Sequence, residues 1–231
     1  KSKLSKRQGD VAVEDYLRKG YLKESLINFI ALLGWNPGEG EEEEFFSIDE
    51  LIKRFTLEKV QSSGAVFNID KLNWMNNSYI KSYDIDKLTE ISIPYFKNTS
   101  IDVSDLSLIK KILSSVRVYL NKLDEIPEQV RIFTCDEIIL ENEKLKEILE
   151  AETTRKVFGS LADKFESLKE INADNYKSSI ALVQAETGVK GKLLFKPVRI
   201  ALTGSENGPE LPAIAEILGK DKVIKFLKRW I

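Results

Sequence analysis

Apolar residues recur along this chain at the three- and four-residue spacing that gives a helix a single apolar face. The spacing predicts helices, in chain order, over residues 13–19, 23–33, 70–79, 85–96, 106–120, 126–133, 153–168, 174–186, 193–202, 211–218 and 222–230. No alternation of strands and helices, of the kind that builds a parallel sheet, interrupts this series. The predicted fold class is therefore all-α.

Residues that suit helix ends punctuate the series. Ser47 and Glu50 have the spacing of a capping box and predict a further helix after Ser47. Four other residues fall where a helix cap or stop is needed: Asp174, Gly188, Gly204 and Gly219. The acidic run Glu41–Glu44 predicts a solvated loop and not a metal site, because four consecutive carboxylates repel one another.

The composition narrows the class of protein. With 231 residues, of which 42% are hydrophobic, the chain can bury one large core or two to three smaller ones. No apolar run approaches the length of a membrane span, and the start shows no apolar signal region. We therefore expect a cytoplasmic protein with no membrane partner, for which a monomer is the simpler expectation.

The chain contains no histidine and one cysteine. These counts exclude serine–histidine and cysteine–histidine catalysis, histidine metal ligands and an internal disulfide. We interpret Cys135 as an inert, partly buried residue. No residue stands out as a metal ligand.

Positive charge is concentrated near the end of the chain, although the formal net charge is −2. Residues 186–231 contain nine Lys and Arg residues against five Asp and Glu residues. Contacts with nucleic-acid phosphates depend on such local density rather than on the overall sum. A basic helical segment is consistent either with a solvated surface or with an RNA-binding one.

A second basic segment, Lys3-Leu4-Ser5-Lys6-Arg7, lies near the start and is followed by Gly9. Two lysines three residues apart around a hydroxyl residue suit a mobile clamp, whose ammonium groups neutralise the charge that grows as pyrophosphate leaves. The alternative is a solvated basic terminus.

Three segments, residues 3–7, 16–22 and 28–35, resemble the part of bacterial glutamyl-tRNA synthetase that begins at its Lys-Met-Ser-Lys-Ser signature. Residues 45–52 and 67–76 look like the linking helices of that family. Further on, Lys196-Pro197-Val198-Arg199-Ile200-Ala201-Leu202-Thr203-Gly204 and Gly208-Pro209-Glu210-Leu211 resemble its anticodon-binding region. The segments follow the order of the family and extend over nearly the whole chain.

The resemblance implies three modules in a helical fold. Residues 1–83 would hold the signature loop and part of a stem-contact connector, and residues 84–145 and 146–231 would form two subdomains of an anticodon-binding cage. The related glutaminyl enzyme is disfavoured, because by resemblance its anticodon region is a β-barrel.

The resemblance also implies an ATP site at the start of the chain. Lys3, Ser5 and Lys6 would close over ATP during glutamate activation, with Lys6 on the phosphates and Lys3 assisting catalysis. Leu4 in place of methionine and Arg7 in place of the last serine of the signature conserve size and polarity, respectively.

The anticodon would be contacted by Arg199, Gly208, Pro209 and Leu211. For Pro209 the alternative is a proline in the first turn of a helix, and for Leu211 a core leucine. Lys71 is a candidate for contact with tRNA as well. Two further groups are interpreted as structural or solvated residues: Arg117, Lys122 and Arg131, which are basic, and Trp35, Trp74 and Trp230, which are expected in the core.

The resulting hypothesis is that the chain is the tRNA-binding, carboxy-terminal portion of an enzyme of this family. The parent would join glutamate to ATP, with Mg²⁺, and transfer it to tRNA(Glu), with tRNA(Gln) left open. The paired histidines of the class I signature are absent, so we expect this portion alone to be inactive and to bind no cofactor. The alternatives are a helical protein-binding adaptor and a non-catalytic RNA-binding paralogue.

Overall fold

The structure is a computed structural model that describes residues 12–38, 41–61 and 64–231. In chain order its α-helices are α1 (Val13–Arg18), α2 (Lys23–Gly34), α3 (Ile48–Arg54), α4 (Ile69–Ser82), α5 (Ile85–Phe96), α6 (Leu106–Val116), α7 (Ile126–Gln129), α8 (Arg131–Thr134), α9 (Lys144–Glu150), α10 (Glu152–Glu166), α11 (Ala173–Thr187), α12 (Lys192–Thr203), α13 (Leu211–Leu218) and α14 (Lys220–Lys228). Short 3₁₀ turns occur at Leu57–Lys59, Arg117–Tyr119 and Leu123–Glu125.

The all-α prediction is confirmed. Over the described ranges the chain forms no strand, and its single β-type contact is an isolated antiparallel bridge between Trp35 and Val60. The capping box is present as well, because the Ser47 hydroxyl accepts from the Glu50 N–H at 3.2 Å and the Glu50 carboxylate accepts from the Ser47 N–H at 2.7 Å. Local sequence signals therefore specify α3 directly.

Packing overrides the periodic pattern at two places. The helix predicted over 106–120 ends at Val116, where the chain passes from one compact unit to another and continues as a 3₁₀ turn. The helix predicted over 126–133 is divided at Val130, again at a boundary between the units. Helix α9 was not predicted, although Leu145 and Leu149 are buried four residues apart within its charged stretch.

One predicted cap is wrong. Asp174 lies inside α11, and the N-cap is Asn172, whose side-chain oxygen accepts from the N–H groups of Asp174 and Asn175. The Asn175 side chain in turn accepts from the Asn172 N–H at 2.8 Å. The cap was missed because an Asn–Asn pair performs the role that Ser/Thr with Glu/Gln performs in the usual motif.

The contacts divide the chain into two compact units. The first comprises the described residues up to Asn98 together with Arg117–Gln129, and the second comprises Thr99–Val116 and Val130–Ile231. These boundaries differ from residues 83 and 145. The division into a connector and two anticodon-binding subdomains stays a prediction from the family resemblance.

In the first unit, α2 packs on α4 around buried Tyr21, Leu26, Phe29, Leu72 and Met75. The amphipathic faces of the two helices supply four of these residues and Tyr21 precedes α2. Their burial is the main driving force for this contact.

Two asparagine side chains, Asn28 and Asn76, link separate segments of the first unit through hydrogen bonds. Asn28 accepts from the Phe46 N–H at 2.7 Å and from the Tyr79 hydroxyl at 2.6 Å. Burial, assisted by the negative charge of Glu24, raises the pKa of Tyr79 to about 12, so this hydroxyl remains a donor at neutral pH. Asn76 accepts from the Leu22 N–H at 2.8 Å and donates to the Asn121 carbonyl at 2.6 Å.

In the second unit, α10 packs against α9, α11, α12 and α14. Its buried residues include Val157, Phe158, Leu161 and Phe165. Helix α13 packs against α6, α11 and α12. Because α11, α12 and α13 meet in this way, the surface between them can form a groove.

We predict that Gly204→Ala destabilises the second unit more than Gly188→Ala. Both glycines end helices in the left-handed conformation, with φ of +78° and +71°. A Cβ at Gly204 would lie 2.0 Å from the Ile139 carbonyl oxygen, whereas at Gly188 it would meet nothing within 4 Å. Urea unfolding should give a loss of about 2–5 kcal/mol for Gly204→Ala and about 1–2 kcal/mol for Gly188→Ala. Equal losses would contradict the packing described here.

Candidate nucleic-acid interface

Arg199 lies on α12 where the core-facing side of the helix gives way to the surface. Leu194, Val198 and Ala201 are fully buried, whereas Arg199 is half-buried. Its Nη1 donates to the Gly208 carbonyl at 3.1 Å and to the Pro209 carbonyl at 2.6 Å. These bonds tie the helix to the turn that leads into α13.

The guanidinium keeps one edge available. Both of its hydrogen bonds to described residues use Nη1. The Nε–H and the adjacent Nη2–H of an arginine point in parallel and match two neighbouring acceptor atoms. Arg199 is therefore held by one side of its guanidinium and can bind a ligand with the other.

A groove of about 350 Å³ runs beside this guanidinium. Helices α11, α12 and α13, with the N-cap of α13, supply its eight lining residues: Tyr176, Lys177, Ile180, Phe195, Arg199, Glu210, Leu211 and Pro212. Five of them are apolar or aromatic, and the charged ones are Lys177, Arg199 and Glu210. Such a groove suits a flat, partly apolar group that carries hydrogen-bond acceptors.

The structure brings Arg199, Gly208, Pro209 and Leu211 close to one another. Leu211 is 4% exposed and also lines the groove, so it combines the core position and the surface position that were both considered. Pro209 is buried, and the proline in the first turn of α13 is Pro212. Contact of these four residues with RNA stays a prediction.

The hydroxyl of Tyr176 is an unpaired polar atom within this site. Its side chain is 2% exposed, its ring stacks on Phe165 at 5.8 Å between centroids, and its oxygen has no hydrogen-bond partner. Burial raises the pKa of Tyr176 well above its usual value, and the positive charge of Arg199 offsets this only in part. The hydroxyl therefore stays protonated at neutral pH.

Much of the positive charge counted in residues 186–231 is used within the protein. Lys220, Lys222 and Lys225 donate to the carbonyls of Leu168, Phe133 and Asp136, at 2.9, 3.0 and 3.3 Å. Lys196 and Lys228 form ion pairs with Glu206 and Glu166. These lysines have structural partners, so the charge count alone is a weak argument for RNA binding.

Lys71 lies in the first unit, where its ammonium forms an ion pair with the Glu44 carboxylate. On the same helix Trp74 is 47% exposed and contacts Phe45. The expectation that Trp74 belongs to the core is wrong, because Leu72 and Met75 occupy the buried face of α4. Trp35 is buried as expected.

Other candidate residues from the sequence lie outside the described ranges or in other parts of the structure. Lys3, Ser5 and Lys6 fall outside the described residues. Arg117 donates to the Tyr83 carbonyl at 3.1 Å, and Lys122 forms an ion pair with Asp124 at 2.5 Å.

Tyr176, Ile180 and Phe195 line the groove but were not predicted from the sequence. Phe195 precedes Arg199 by four residues in a predicted helix, so the helical spacing places both side chains on the same face of that helix. Tyr176 and Ile180 have the same spacing on α11. Nothing in their local pattern indicates that α11 packs on α13, which also contacts α12.

Over the described ranges, no group of three or more Asp, Glu, Cys or His residues is placed to hold a metal ion. None of the helices in the same ranges combines the length and apolarity that crossing a bilayer requires. The absence of a bound cofactor stays a prediction.

Comparison with known sequences identifies the class of the protein. Residues 87–231 match the family described as the anticodon binding domain, and the chain belongs to that family. Residues 1–74 match the catalytic domain of class I tRNA synthetases of the E and Q type.

Individual relatives are glutamate–tRNA ligases, as the sequence resemblance indicated. Glutamate–tRNA ligase 1 of Caldicellulosiruptor saccharolyticus is 41% identical and covers 100% of this chain. Glutamate–tRNA ligase of Bacillus subtilis is 40% identical and covers 99% of it. The chain spans 49% and 48% of these two relatives, which is about half of their length.

A solved structure gives the same result for the fold. The crystal structure of a glutamate tRNA ligase from Elizabethkingia meningosepticum has a TM-score of 0.84 and 26% sequence identity. The match covers 99% of this chain and 48% of that one.

We predict that Arg199→Ala destabilises the second unit, because it removes the donor to the two turn carbonyls. The free energy of unfolding should fall by about 1.5–3 kcal/mol in urea titrations. Lys196→Ala is the matched control on the same helix, since it removes only a half-exposed ion pair, which contributes about 1 kcal/mol or less. Equal stability of the two variants would contradict a structural role for the guanidinium.

Proposed function

We propose that this chain is the tRNA-binding portion of a cytoplasmic glutamate–tRNA ligase and contacts the anticodon of tRNA(Glu). The observation that carries the proposal is the free guanidinium edge of Arg199 at the wall of the groove between α11, α12 and α13. Membership in the anticodon binding domain family supports it.

The chemistry of the groove suits single-stranded RNA. Proteins read unpaired loop bases by packing against their faces and forming hydrogen bonds with their edges. Phe195 and Pro212 offer apolar surface, and Arg199 offers parallel N–H donors. Because the guanidinium is already held by two carbonyls, little side-chain entropy is lost when it binds a base.

The parent enzyme would activate glutamate with ATP as its magnesium complex, release pyrophosphate and transfer the glutamyl group to the terminal adenosine of the tRNA. Lys3, Ser5 and Lys6 would form the phosphate clamp, which the match of residues 1–74 to the class I catalytic domain supports. The positive charges of Lys3 and Lys6 would stabilise the charge that develops on the leaving phosphates.

Two finer assignments complete the proposal. Lys71 would contact a tRNA phosphate after exchanging its ion pair with Glu44, because a half-exposed pair contributes little to stability. The protein would act as a monomer, with tRNA(Gln) as the competitor from which tRNA(Glu) must be distinguished.

The proposal predicts salt-dependent binding of tRNA(Glu) that requires Arg199. In titrations at several salt concentrations, the affinity should fall steeply as salt rises, because contacts with phosphates release counterions. Arg199→Ala should weaken binding about tenfold or more, in line with the loss of one base contact. The control is Lys156→Ala, which removes an exposed charge on α10 and should change affinity less than about twofold.

The rival hypothesis of a protein-binding adaptor predicts a different result. Under it, tRNA affinity would be undetectable at all salt concentrations and the two variants would behave as the parent chain. That outcome would refute the proposed function.

A separate prediction concerns the clamp in the complete ligase. Lys6→Ala should lower the rate of pyrophosphate release about a hundredfold with tRNA(Glu) present, because one preorganised charge on the phosphates is lost. The affinity for tRNA(Glu) should not change, and Lys156→Ala should retain the full rate. A parental rate for Lys6→Ala would remove this lysine from the clamp.

A further inference from the structure

The ammonium of Lys71, the candidate phosphate contact in the first unit, is already occupied by a carboxylate. Lys71 lies in the first turn of α4 and forms an ion pair with Glu44, and both side chains are 40% exposed. A carboxylate and a phosphate offer an ammonium the same kind of partner, an anionic oxygen. Glu44 therefore occupies the position that an RNA phosphate would take.

Contacts of the next two residues hold Glu44 in place independently of its ion pair. Phe46 is buried, and both its N–H and its carbonyl are hydrogen-bonded within the first unit. The ring of Phe45 packs on Trp74, at 5.0 Å between centroids, and Trp74 follows Lys71 by three residues on α4. Because the backbone beside Glu44 is anchored in this way, little side-chain and backbone entropy is lost when the ion pair forms.

Arg54 holds the preceding part of the acidic run. Its guanidinium forms ion pairs with Glu41 and with Glu43, the latter at 2.8 Å, and lies 4.9 Å from the centroid of the Phe46 ring. Among the described residues, the ion pairs of Glu41–Glu44 thus involve two cations for four carboxylates. The run keeps an excess of negative charge next to Lys71, and such charge repels an RNA backbone.

We propose that Glu44 is a built-in competitor for the RNA phosphate at Lys71 and thereby lowers the affinity of the first unit for RNA. This inference rests on the proposed function, because it concerns the regulation of the phosphate contact assigned to Lys71. Since its neighbours stay anchored, the displaced carboxylate remains beside the phosphate and repels it. An RNA that offers phosphates alone gains little at this site, so binding depends on contacts made elsewhere.

The test measures binding of tRNA(Glu) to the full chain with Glu44→Gln, which removes the charge and keeps the shape of the side chain. The affinity at low salt should rise about two- to fivefold, the factor expected when one half-exposed ion pair no longer has to be broken. The affinity should also fall more steeply with salt than for the parent chain, because one more phosphate is neutralised and releases its counterion.

Glu43→Gln is the matched control, because it removes the same charge from the same run but from the partner of Arg54. It should raise the affinity less than about twofold, since salt screens charges that do not contact the phosphate. In a chain that carries Lys71→Ala, Glu44→Gln should no longer raise the affinity, because the competitor has lost its target. Urea unfolding should place each variant close to the parent, because these ion pairs are exposed.

The possible outcomes separate the inference from the proposed function. If Lys71→Ala weakens binding while Glu44→Gln binds as the parent, the inference is wrong and the proposed function stands. An equal gain for Glu43→Gln, or a gain for Glu44→Gln that persists with Lys71→Ala, would indicate an effect of overall charge and would also overturn the inference.

Two further results concern the proposed function itself. If Lys71→Ala binds as the parent while Arg199→Ala is weakened, the phosphate contact and the inference fail together and the anticodon contact stands. If both variants bind as the parent, the proposed function fails.

Discussion

The candidate site depends on how the chain turns between α12 and α13. The segment from Gly204 to Glu210 reverses direction with little room, and its carbonyl groups need donors. Arg199 supplies them through one nitrogen, which donates to both Gly208 and Pro209. This link holds the start of α13 beside α12, so two walls of the groove are already ordered in the free protein. A ligand that binds there does not have to order them.

The same link gives one side chain two functions. One edge of the guanidinium stabilises the turn, and the other makes no hydrogen bond to the described residues. A lysine at this position would have a single point charge in place of a planar fork, so it could not serve both sides with the same geometry. Three lysines of α14, Lys220, Lys222 and Lys225, instead donate to backbone carbonyls of the second unit and add little free positive surface. Positive charge and RNA-binding capacity are therefore not equivalent in this unit.

The sequence predicted the helices well where local signals act alone. Residues 85–96 and 211–218 are helical over the predicted ranges, and Ser47 caps α3 through its own neighbours. Prediction failed where contacts between residues that are distant in the sequence determine the structure. Val130 divides a continuous apolar pattern, and Trp74 is exposed because α4 buries a different face. Arg199 was found through the family resemblance, whereas Tyr176 required knowledge that α11 and α12 both pack on α13. Periodicity describes one helix at a time and contains no such information.

The path of the chain through the two units has a consequence for biosynthesis. The polypeptide leaves the first unit after Asn98, returns at Arg117 and leaves again after Gln129. Helix α6 belongs to the second unit and packs on α13, which the ribosome adds about 100 residues later. At typical elongation rates this delay is on the order of ten seconds. During that time the apolar face of α6 emerges without its partner, so the nascent chain offers a temporary binding surface for chaperones even though the finished unit buries it.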